Sequence, residues 1–291
     1  MTDDSREPRT EAEDRDAPAR DEESSSPPSG GADGADEGTL TDEGTNADEE
    51  LDAERAGVRS EDSDARYRGR AWLQALLVTG LSGAVLTHAF RFESAGPASM
   101  LPPIGIAYLV MFAGACVFAR GRGELREQFL PRRFDLTLGA LVAGVLYLVA
   151  NLAPAALLEG RPQEGWLWRL YLQLGDAREL APPYVGAAVF AIAALEEVVW
   201  RGWVMRALRI AHGRRTALVA STLLYGLAHV GTLFVLRDVE AGLNPLVVLA
   251  ALGCGFVWGA LALGFDRLGP SLCAHAIFSW AVALFPMWRR G

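Results

Sequence analysis

The chain has 291 residues, 51% hydrophobic and 22% charged, with a formal net charge of −9 and three cysteines. Those averages conceal two unlike parts: residues 1–65 hold 23 Asp or Glu against 6 Arg, a net of −17, which leaves +8 for the remainder. No glycine-rich phosphate loop and no basic aromatic patch is present, which argues against a nucleic-acid partner, and the cysteines lack the paired spacing of a disulfide or metal framework.

Residues 1–65 contain no aromatic residue and almost no large aliphatic one beyond Leu40, Leu51 and Val58. Such a segment cannot bury enough apolar surface to offset its ordering entropy, so a disordered acidic N-terminal tail is expected. It reads as an acidic interaction tail or as a solvated tail suited to high salt. It lacks the basic start and apolar core of a signal peptide.

From Arg66 the chain changes character, and residues 66–291 read as one transmembrane helical domain. Arg66, Arg68 and Arg70 precede a first uncharged span, Ala71–Phe90. Leu101–Ala119 is a second, opened by Pro102 and Pro103. The stretch Arg120–Asp135 is rich in Arg and Glu and has only a partial apolar face, which suits an interfacial segment. Leu136–Leu158 is a third span. Between Glu159 and Pro183 lies a polar connection whose Trp166, Trp168 and Tyr171 suit the membrane–water boundary. Tyr184–Leu208, Thr216–Leu236, Leu243–Phe265 and Leu268–Met287 complete a count of about seven. The fold class is therefore all-α, a multi-pass transmembrane bundle in a cell membrane. Arginines crowd the flank before span one, the 120–133 loop and the loop after span four, which places the N-terminus in the cytoplasm.

Span four carries Leu195-Glu196-Glu197-Val198-Val199-Trp200-Arg201-Gly202. Each such charge costs roughly 2.5–3.5 kcal/mol at a helix centre, so these groups must face a protein interior or water. Glu197 and Arg201 are four apart and can pair. Glu196 is turned about 100° away and is left for another task. Two of the four histidines also lie inside spans: His229, one turn after Tyr225, and His275, one turn before Ser279. His88 reads as a boundary residue and His212 as a solvated one.

An acid and two imidazoles on three spans support two chemistries. Glu196 as general base takes a proton from a water that a histidine orients, while a second histidine with a neighbouring donor stabilises the oxyanion. Alternatively Glu196, His229 and His275 hold a catalytic Zn²⁺ with an open position for water. No His-Glu-x-x-His occurs to favour zinc, and no other cofactor is implied. Gly255-x-x-x-Gly259 reads as a close helix approach, and Cys116, Cys254 and Cys273 as small buried residues.

Glu196-Glu197-x-x-x-Arg201, Tyr225-x-x-x-His229 and His275-x-x-x-Ser279, in that order, resemble the three motifs of the CAAX-protease and bacteriocin-processing (CPBP) family of intramembrane proteases, which includes the type II CAAX prenyl endopeptidases. The resemblance covers roughly residues 135–287. It implies that Glu196 activates water, that His229 helps position it, that Glu197 and Arg201 support the site, and that His275 serves the oxyanion. Tyr225 stands where the family usually has Phe, and Ser279 where it usually has Asn; serine brings one donor and a shorter reach. The expected function is hydrolysis of a peptide bond in a peptide or membrane-protein substrate at the lipid bilayer, without an acyl-enzyme. Two other readings remain: a catalytically silent scaffold that binds a partner membrane protein, and a proton- or ion-coupled transporter.

Overall fold

The computed structural model describes residues 43–123, 132–175 and 183–285, with side chains from Ser63 onward except that of Phe92. Residues 1–42, most of the expected tail, lie outside the described residues, as do 124–131 of the expected interfacial stretch. The chain divides into two compact units, Met1–Leu51 and Asp52–Gly291. In the first, the described residues 43–51 are helical. Helix α1 runs from Glu43 to Ala89.

In the second unit α1 is followed by α2 (Pro97–Arg120), α3 (Asp135–Leu157) and the short α4 (Glu164–Leu172). Next comes one unbroken stretch made of α5 (Pro183–Glu197), a π-helical segment (Val198–Val204) and α6 (Met205–His212). The chain continues as α7 (Arg214–Ala228), the single turn α8 (Thr232–Val235), α9 (Leu246–Phe265) and α10 (Gly269–Leu284). No β-strand occurs among the described residues. Among the described residues six stretches are long and apolar enough to cross a membrane: Ser63–Ala89, Pro97–Arg120, Asp135–Leu157, Pro183–His212, Arg214–Val235 and Leu246–Phe265. Helix α10 is a seventh, shorter apolar helix.

The expected boundaries shift in three places, each for a local reason. The connection 159–183 is not wholly irregular, because Trp166, Leu167, Leu170 and Tyr171 recur at helical spacing and form one face of α4. Span five breaks after Ala228, with His229 at the helix end and Gly231 opening α8. Span six starts at Leu246, because the Asn244 side chain accepts from the Leu246 amide and Pro245 cannot donate.

Helix α10 packs against α3 and α5, α9 against α7, and α2 against α5. The α3–α10 approach is very close: a Cβ on Gly139 would fall 2.4 Å from Cys273 Cβ and 2.8 Å from the Ala274 nitrogen. Trp200, Trp258 and Tyr108 are the largest fully buried side chains. Leu141, Leu148 and Leu152 on α3 and Leu73, Leu76 and Leu77 on α1 stand outward, as lipid-facing residues do. At the arginine-rich end Asp135, buried at the start of α3, pairs with Arg267, and Asp266 pairs with Arg209 and Arg214.

Candidate active site

Glu196 and Glu197 close α5, and the helix widens immediately after them into the π segment. Single π turns inside α-helices recur at functional sites, because the wider turn re-aims the side chains around it. Glu197 is fully buried and Arg201 nearly so, and the two form an ion pair (Nη1 to Oε2, 3.4 Å). The same guanidinium donates through Nη2 to the Gly255 carbonyl (2.9 Å) and lies over the Tyr225 ring at 4.7 Å from its centroid. Gly255 is required there, since a Cβ would meet Tyr225 Cδ1 at 2.8 Å and Arg201 Nη2 at 3.4 Å. The Gly255-x-x-x-Gly259 spacing is thus a packing feature that also seats the arginine.

His275 lies beside both glutamates. Its Nδ1 is 3.1 Å from Glu197 Oε2, and because a carboxylate only accepts, Nδ1 carries the proton. Its Nε2 faces Glu196 Oε2 across 3.8 Å. Trp258 stacks on the ring, with centroids 5.4 Å apart and planes 17° from parallel. His229 ends α7, and its Nδ1 lies 2.7 Å from the Tyr225 carbonyl. A carbonyl also only accepts, so Nδ1 donates, and neutral His229 keeps Nε2 as an acceptor. The Tyr225 ring meets His229 edge-on at 4.7 Å.

A cavity of about 240 Å³ opens beside these groups. Its walls are apolar, with Leu86, Ile104, Val189, Ile192 and Val282 among them, and Leu170, Tyr171 and Leu174 of the α4 region line it as well. Its ionisable and hydroxyl groups are Glu196, His229, Tyr108, Tyr171 and Ser279. Glu196 and His229, from separate spans, therefore share one cavity, and Ser279 joins them. His275 does not line it; it sits behind Glu196 and joins that residue to Glu197. His212 lies beside the Trp72 ring (centroids 5.8 Å apart, planes tilted by 51°) at the arginine-rich end, away from this cluster.

The zinc alternative is not matched by the donor geometry. Among the described residues no group of three or more His, Cys, Asp or Glu side chains is arranged to hold a metal ion. His275 is turned toward the two carboxylates, with one ring nitrogen engaged by Glu197, and it does not converge with His229 on a common point.

The motifs did not reveal Tyr108, whose hydroxyl donates to Glu196 Oε1 at 2.7 Å. Trp258 was also missed. A phenol in the middle of an otherwise apolar span was the available signal, because a buried tyrosine hydroxyl needs a partner.

Comparison with curated proteins gave no match, and comparison with solved structures gave none either. Residues 178–281, which contain Glu196, Glu197, Arg201, Tyr225, His229, His275 and Ser279, match the family model described as type II CAAX prenyl endopeptidase Rce1-like, a protease match consistent with the CPBP family.

Proposed function

We propose that the protein is an intramembrane endopeptidase of the CAAX type, in which Glu196 activates water for direct attack on a peptide carbonyl. One observation carries the reading: Glu196 and His229, on different helices, line the same cavity, and His229 offers Nε2 as an acceptor. A water between them donates one hydrogen to each and turns a lone pair toward the substrate.

In the first step Glu196 takes a proton from that water as the oxygen bonds to the carbonyl carbon. The carbonyl electrons become an oxyanion, to which the Ser279 hydroxyl can donate. The C–N bond then breaks, and Glu196 returns the proton to the leaving amine. Atoms balance with one water consumed and no acyl-enzyme formed. His275 holds the two glutamates together, and Arg201 neutralises Glu197 so that Glu196 is the carboxylate left for chemistry. The resemblance assigned the oxyanion to His275; the cavity lining favours Ser279 for that contact.

The apolar walls suit a substrate whose scissile bond lies next to an apolar side chain or a lipid-modified cysteine. We place the arginine-rich end in the cytoplasm, as the positive-inside rule requires. We place the boundary of the acidic tail near residue 65.

The test is cleavage of a prenylated CAAX-type peptide by the full chain in liposomes, against Glu196→Gln. Loss of cleavage with an unchanged melting temperature supports the hydrolase. A partner-binding scaffold would be indifferent to the substitution, and a transporter would show flux without cleavage.

A further inference from the structure

We propose that Tyr108, on α2 and outside the matched segment 178–281, is a positioning residue for Glu196, fixing the orientation of that carboxylate at the cavity wall through a hydrogen bond to Oε1. The proposal rests on the hydrolase reading above and names a residue for it that none of the three motifs contains.

The hydrogen-bond directions are fixed by chemistry. Tyr108 Oη is 2.7 Å from Glu196 Oε1 and 3.4 Å from Trp200 Nε1. An indole N–H can only donate, so the phenol accepts from Trp200. Its single proton is then directed to Glu196. The ring is buried (1% exposed) between α2 and α5, so this geometry does not depend on a mobile surface side chain. Trp200 is itself buried, packed edge-on against Tyr225, and it belongs to the π segment that begins one residue after Glu197.

The consequence for Glu196 is that each of its two oxygens has a defined neighbour. Oε1 is occupied by the phenol, while Oε2 faces His275 Nε2. A carboxylate fixed at one oxygen loses rotation about its terminal torsion, and that torsion is otherwise broad. Fixed orientation of a general base counts directly in the rate, because proton transfer needs the base within hydrogen-bond reach of the water. Tyr108 also lines the cavity, so it borders the site where that water is expected.

The experiment uses the full chain in liposomes, with Tyr108→Phe, which keeps the ring and removes only the hydroxyl. On the prenylated CAAX-type peptide, kcat is expected to fall by about ten- to a hundred-fold, as for one hydrogen bond to a charged group. KM stays within about two-fold, because the ring still fills its place in the wall. The carboxylate stretch of Glu196, assigned in the infrared by difference against Glu196→Gln, shifts in Tyr108→Phe whether or not peptide is present. Trp200→Phe, which leaves the phenol but removes its second partner, gives a smaller fall in kcat of the same kind, and it keeps the test open if Tyr108→Phe does not fold. An unmoved carboxylate stretch, or a raised KM with kcat unchanged, overturns the proposal while Glu196→Gln still separately tests the hydrolase. A shifted stretch in a protein whose unaltered form cleaves no peptide overturns the hydrolase reading, and the positioning role with it.

Discussion

His275 Nδ1 lies 3.1 Å from Glu197 Oε2, the same oxygen that faces Arg201 Nη1 at 3.4 Å. One buried carboxylate oxygen thus ties together the π segment and α10, and through Arg201 it reaches α9 at Gly255. The second glutamate of the motif is the structural junction of the site, and the first is left with a face on the cavity.

Glu197→Ala strands a buried guanidinium and should cost about 3–5 kcal/mol of stability, as removal of one partner from a buried pair does. Glu197→Gln keeps an acceptor for His275 and costs less. Thermal unfolding in detergent ranks the two, and both should lower cleavage because His275 loses its anchor.

Gly139→Ala tests the α3–α10 contact. The added methyl would meet Cys273 Cβ at 2.4 Å and backbone at 2.8 Å, so α10 must move. Overpacking of this kind costs about 1–3 kcal/mol, and His275 and Ser279 move with the helix. A lowered melting temperature together with a lowered kcat is expected.

Ser279→Ala removes the hydroxyl that lines the cavity in the third motif. The expected fall in kcat is up to about 10²-fold, the lower end for an oxyanion donor. Ser279→Asn, which supplies the longer amide donor, should retain or raise kcat. Steady-state kinetics on one peptide decides both.

Helix α4, which contributes to the cavity lining, should respond to acid through Asp238. This carboxylate accepts from the Ala241 (3.1 Å) and Glu240 (2.9 Å) amides and pairs with Arg169 of α4 (3.7 Å). The two amides hold the carboxyl below the usual aspartate range, and Arg169 adds a smaller pull in the same direction. A lowered folded value means the stabilisation is present above the ordinary pKa of about 3.9 and fades as pH falls through the lower folded value. The protection of the 164–172 amides from hydrogen exchange, taken relative to their intrinsic rates at each pH, should therefore fall below about pH 4. In Asp238→Asn that protection should be lower already at neutral pH and should not fall further through this pH range.

Much of the site could be read from spacing alone. Glu197 and Arg201 pair because four residues bring side chains onto one face, and the Tyr225–His229 contact follows the same rule. The spans were legible because twenty apolar residues without charge have few other fates. Other features had no local signature. The π segment looks like any apolar helix in sequence, since nothing in Val198–Val204 marks the change in hydrogen bonding. His275 and Ser279 share a face, yet Ser279 reaches the cavity while His275 is held back by Glu197 and stacked on Trp258, and only the packing of α10 decides which goes where. Tyr108 lies 88 residues from its partner, beyond any periodicity argument.

The central claim is that Glu196 delivers a water oxygen directly to the substrate carbonyl. A single-turnover cleavage in H₂¹⁸O by enzyme in excess, read by mass spectrometry of the product with the new C-terminus, tests it most directly. The account predicts one ¹⁸O atom in that carboxylate on the first turnover, no peptide adduct on the protein, and no product from Glu196→Gln. A first-turnover product carrying only ¹⁶O, or full cleavage by Glu196→Gln, would contradict it.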